Sequence, residues 1–166
     1  MTHTPEVRTL RPGPLGAVMD ETERAAAELE RVFARVTDAH YEVIVDPDTQ
    51  DEDCRSIQTI VRHVIQAGYG YANRTRRVLG IAVTREAGEV GLFPRAQFPR
   101  ELRAMLDYTI ETLEGRWEMP WEEQVNHPVE TPWGGRFTIE LLLEHGIVHL
   151  LRHRRQLEKF LAKLGA

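Results

Sequence analysis

Val18, Ala25, Leu29, Val32, Phe33 and Val36 recur at three- and four-residue intervals with Glu and Arg between them. That spacing belongs to an α-helix with one buried face, and it marks about 17–39 as the first of four helical stretches. A second follows the acidic, Pro-containing loop 46–53. Ser56 suits its N-cap, and Ile60, Val61, Val64, Ile65 and Ala67 form its apolar side over about 57–79. The segment 80–99 holds three glycines and two prolines, a poor setting for a long helix; within it Ile81-Ala82-Val83 reads as a short strand without a strong partner. A third helix is expected from Pro99 to Arg116. After a connection containing Pro120, Pro128, Pro132 and Gly134-Gly135, a fourth begins behind Thr138 and runs nearly to the C-terminus.

The expected fold is all-α: a four-helix bundle filling a single domain over 1–166. The long connections from the first helix to the second and from the third to the fourth act as crossovers, which brings at least one pair of neighbours parallel. Composition fits a packed core, with 42% hydrophobic and 28% charged residues. No run approaches the roughly 20 apolar residues of a membrane span. The N-terminus lacks a basic segment followed by an apolar one, so a cytoplasmic protein is expected. A net charge of −5 argues against a nucleic-acid partner. The one basic run, Arg152-His153-Arg154-Arg155, is read as charge favourable to the end of a helix dipole. Cys54 is the single cysteine, which excludes an internal disulfide and a multi-cysteine zinc cage. Its neighbours Asp51, Glu52 and Asp53 would raise a thiol pKa, so it is not taken as a nucleophile.

Chemistry concentrates in the histidines. His145, His149 and His153 follow one another at four-residue spacing and share one face of the last helix. The apolar stripe of that helix is marked by Leu142, Leu150, Leu157, Phe160 and Leu164. His149 and His153 fall in it or at its near edge, and His145 at its margin. A buried imidazole has two ring nitrogens to satisfy, and an unpaired one costs roughly 1–3 kcal/mol. A shared metal ion at about 2.1 Å satisfies several at once. His63, on or beside the apolar side of the second helix, would supply a third ligand and leave positions open for water. The competing reading of His63 is a core histidine bonded to a carbonyl or carboxylate. Gln156 lies on the His149/His153 face and suits orienting a ligand ring, whereas Glu144 is off that face. His3, His40 and His127 carry no spacing argument. Tyr69 and Tyr71 read as core or cavity-lining residues. Trp117, Trp121 and Trp133 read as a cap over one end of the bundle or as an aromatic lid.

Two stretches resemble the DinB/YfiT family of helical-bundle proteins. Residues 57–69, IQTIVRHVIQAGY, resemble its second-helix segment with a single metal histidine. Residues 149–156, HLLRHRRQ, resemble its terminal His-x-x-x-His followed by Arg-x-Gln. The resemblance implies a four-helix bundle, often dimeric. It also implies a divalent transition metal, nickel or zinc foremost and manganese or iron as alternatives, on His63, His149 and His153. The activities implied are hydrolysis of a small-molecule substrate or transfer of a low-molecular-weight thiol to an electrophile during detoxification; the competing reading is a non-catalytic metal- or ligand-binding stress protein. The chain departs from the pattern at His145, which opens a second ligand register with His149, and at Arg155, where many members have glycine.

Overall fold

The computed structural model describes residues 9–166, so His3 lies outside the described residues. It is predominantly helical: α1 (Gly13–Phe33), α2 (Asp38–Tyr41), α3 (Ile57–Val78), α4 (Phe98–Leu113), α5 (Trp121–Gln124) and α6 (Ile139–Leu164), with one small hairpin of β1 (Val129–Glu130) and β2 (Arg136–Phe137). Among the described residues no helix is long and apolar enough to cross a membrane.

The helix boundaries follow local chemistry. α1 starts earlier than expected, behind Pro12, because Pro14 is tolerated in a first turn where backbone N–H groups lack partners anyway. It stops at Phe33 rather than near residue 39, and the chain re-enters one helical turn as α2. α3 begins with a reciprocal cap, in which Ser56 Oγ accepts from Thr59 N and Thr59 Oγ1 accepts from Ser56 N. α6 begins at Thr138, whose hydroxyl accepts from Leu141 N at 3.2 Å.

The four long helices close around one apolar interior, with α1 against α4 and α6, and α3 against α4 and α6. Leu15, Met19 and Leu29 of α1, Ile60 and Ile65 of α3, Leu102 of α4, and Leu142 and Leu157 of α6 meet there. Side-chain pairs fix the directions. Arg154 meets Glu28 and, further along both helices, Arg35 donates to Ala166 O at 2.8 Å, so α1 and α6 are parallel. Tyr108 donates to Asn73 Oδ1 at 2.9 Å and Arg76 Nε to Thr112 Oγ1 at 2.7 Å, so α3 and α4 are parallel too. α1 opposes α4 through Arg103–Glu23 and Phe33–Phe98. α3 opposes α6 through His63–His149 and Tyr71–His145. The crossover that joins parallel neighbours is therefore 79–97, between α3 and α4. The two connections expected in that role instead link helices that share no broad face.

Within the crossover, residues 81–83 make no strand. Their backbone is bound to α3: Ile81 N donates to Arg76 O at 2.8 Å and Arg76 Nη1 donates to Ala82 O at 3.0 Å. Arg76 is 2% exposed, lies 3.8 Å from the centre of the Tyr108 ring and reaches Glu111 at 3.2 Å. One buried guanidinium thus fastens the crossover to both parallel helices. Arg76→Ala would leave Ala82 O and Thr112 Oγ1 short of a donor and open a cavity, costing about 2–4 kcal/mol. Denaturant unfolding measures this directly, and a loss under about 0.5 kcal/mol, the size of an ordinary surface change, would contradict the clamp.

The hairpin falls where only a connection was expected. Gly134 and Gly135 adopt φ of +90° and +88°, which side chains rarely tolerate, and they turn β1 back so that Val129 pairs with Phe137. The tryptophans do not form one cap. Trp117 packs near the start of α1 with Arg11 over its ring, Trp121 is exposed, and Trp133 rides on the hairpin beside α6.

Candidate metal centre

The antiparallel contact of α3 with α6 brings His63, His149 and His153 together, with one ring nitrogen from each lying within 4.8 Å of the others. His149 Nε2 is 2.9 Å from His63 Nε2 and 3.1 Å from His153 Nε2. His149 and His153 are 9% and 5% exposed, and the His63 side chain is 26% exposed.

The opposite ring nitrogens decide the protonation pattern. His63 Nδ1 lies 3.2 Å from Asp53 Oδ2. A carboxylate oxygen accepts this bond, so Nδ1 carries a proton and Nε2 is the nitrogen whose lone pair is open to a metal in the neutral ring. Asp53 is presented by a single 3₁₀ turn, Glu52–Cys54, whose N-cap Asp51 accepts from Asp53 N; Arg62 binds the same carboxylate. His153 Nδ1 lies 3.0 Å from Gln156 Oε1, and the Gln156 amide points its nitrogen toward Cys54 O at 3.5 Å. His153 therefore also offers an unprotonated Nε2.

Two lone pairs thus flank His149 Nε2, which carries at most one proton and can donate to only one of them. A hydrogen-bond network therefore leaves at least one of these lone pairs without a protein donor, at a cost of up to roughly 1–3 kcal/mol where water does not reach it. A cation satisfies all three. Nitrogens bound to one ion at about 2.1 Å, with angles between tetrahedral and octahedral, stand about 3.0–3.4 Å apart, close to the 2.9 and 3.1 Å that separate His149 from the other two, while all three lie within 4.8 Å. Burial, reinforced by the neighbouring imidazoles, pushes His149 down to about 3 from an ordinary 6.5. Burial and His63 bring His153 down to about 4, against the opposing bond from Gln156. Both rings are held neutral, the form that ligates metal. The three histidines can hold a metal ion.

Acceptors behind ligating imidazoles typically contribute 10–100-fold in metal affinity. Asp53→Ala is expected to weaken binding by that factor in a competition titration, whereas Glu52→Ala, at a side chain 83% exposed, leaves it unchanged. Equal affinities for both variants would deny Asp53 this part.

A cleft opens beside His63 and His149, walled by Gly70, Tyr71, Arg74, Trp133 and His145. Gly146 lets the Tyr71 ring lie against α6, since a Cβ there would stand 3.3 Å from that ring. His145 does not join the cluster; its ring stacks on Trp133 with centroids 5.1 Å apart. His127 Nδ1 donates to Val78 O at 3.1 Å, and Glu144 is exposed. His40 lies half-buried on α2, apart from the cluster. Tyr69 is buried against Tyr108, while Tyr71 lines the cleft. Cys54 is pushed up by burial, with Asp51 and Asp53 adding to the effect, which keeps the thiol protonated. Asp53 escaped the sequence reading because it sits ten residues before His63 in an irregular acidic loop, where no periodicity ties it to a helix face. Compared with known proteins, the chain matches no family model, no curated protein and no solved structure.

Proposed function

We propose that this chain is a four-helix bundle of the DinB/YfiT kind and a metal-dependent enzyme acting on a small-molecule substrate. His63, His149 and His153 hold one divalent transition metal, nickel or zinc foremost and manganese or iron as alternatives. The observation that carries the reading is the convergence of three Nε2 atoms, with Asp53 and Gln156 accepting from the opposite ring nitrogens of His63 and His153. Among the described residues the cluster contains three ligands rather than four, and a cleft adjoins two of them. Three protein ligands beside open space is the pattern of a catalytic rather than a structural site.

When bound, such an ion supplies Lewis acidity and lowers the pKa of a water or thiol. The protein contributes fixed ring orientations through Asp53 and Gln156, and aromatic walls at Tyr71 and Trp133 along the cleft. The cleft lining carries no carboxylate to serve as general base, which favours transfer of a low-molecular-weight thiol to an electrophile over hydrolysis. The family resemblance adds a homodimer to the proposal.

The test uses protein loaded with cobalt(II). Adding a small thiol should produce a sulfur-to-cobalt charge-transfer band, and the loaded protein should consume thiol in the presence of an electrophile, both effects vanishing in His63→Ala. A spectrum indifferent to thiol, with no turnover of thiol or ester substrates, would overturn the enzymatic reading.

A further inference from the structure

The C-terminal half of α6 carries a second feature that the metal centre does not use. Arg152, Arg155, Lys159 and Lys163 line a groove with Gln156 and Phe160, opposed by a single carboxylate, Asp46. All four cations are exposed, and none makes a hydrogen bond or ion pair with another described residue. Elsewhere Arg11, Arg24, Arg55, Arg62, Arg95 and Arg103 each hold a carboxylate, and the arginines that hold none, such as Arg31, Arg74 and Arg136, are scattered along the chain rather than gathered in one groove. In a protein of net charge −5, four cations along one groove face a single carboxylate among the lining residues, which leaves the groove positive. An anionic ligand would compensate that charge.

The groove meets the metal centre at the back of the His153 ring. Gln156 lines it while its Oε1 bonds His153 Nδ1, and Arg152 stands one residue before His153. The cleft lined by His63 and His149 carries aromatic walls, whereas this groove is cationic. We propose that the groove is an anion-binding site that takes a small molecule bearing carboxylate or phosphate groups. A short groove with four cations suits a small polyanion, whereas a nucleic-acid duplex needs a longer basic face.

The test is calorimetric titration of the metal-stripped full chain at low salt, with inorganic pyrophosphate and succinate as probes. Either probe should bind, and preference between them identifies phosphate or carboxylate as the recognised group. Arg155→Gln/Lys159→Gln should weaken binding at least tenfold. Arg31→Gln/Arg136→Gln removes the same charge outside the groove and should stay within twofold. Binding that persists in His149→Ala supports the groove even if the metalloenzyme reading fails. Binding lost in His149→Ala would place the anion at the histidines and overturn the proposal. So would binding of neither probe, equal losses in the two double variants, or a DNA duplex that binds through the same residues more tightly than pyrophosphate.

Discussion

His149→Ala is expected to abolish metal binding and with it the metal's contribution to stability. His149 Nε2 is the nitrogen that approaches both of the others, at 2.9 and 3.1 Å, so its removal leaves His63 and His153 without the ring that bridges them. For the parent chain, a metal supplied at about a thousand times its Kd stabilises by about 4 kcal/mol. That corresponds to a rise in Tm of roughly 8–16 °C for a chain of this size. The variant should bind far below one equivalent by elemental analysis and show no shift on adding metal. Because the metal-free parent strands at least one lone pair, the variant's own stability without metal should fall less than a buried truncation ordinarily costs. A variant that retains one equivalent and the full thermal shift would refute the site, and His145 would then be the residue to examine.

The metal-free protein should lose stability as pH falls from 7 to 5. His149 and His153 take up protons near 4 and below when folded, since burial and neighbouring imidazoles hold them down. In the unfolded chain both titrate near the ordinary value of 6.5. Below that value the unfolded state binds more protons, so stability rises with pH. It is whole above about pH 6.5, declines at up to about 1.4 kcal/mol per pH unit for each histidine, and the decline ends once the folded rings titrate. Between pH 7 and 5 the expected loss is about 2–4 kcal/mol, in a range where most carboxylates remain ionised. Denaturant unfolding of the metal-free chain measures it, with His149→Gln/His153→Gln as the comparison. Identical slopes in parent and variant would show that these rings do not carry the effect.

Helical periodicity and capping were legible because they are local. Ser56 and Thr138 cap α3 and α6 through residues three positions away, and the apolar stripes repeat within each helix. The placing of His149 and His153 near the apolar side of α6 follows from the same arithmetic of turns. The hairpin was less legible, since two-residue strands leave almost no alternation to read, although Gly134-Gly135 marks its turn.

The amino-acid sequence alone determined which residues can face a core and which imidazoles share a helix face, since both depend on neighbours within a turn or two. Tertiary packing decided what no local rule encodes: that α3 and α4 run parallel through a crossover clamped by Arg76, and that α6 lies antiparallel to α3. Only that packing brings His63 to His149 across 86 positions, sets Asp53 behind His63, and directs His145 to Trp133 instead of the cluster. Such contacts arise from how whole helix faces fit together, and a helix can present the same face to several neighbours until the packed core selects one.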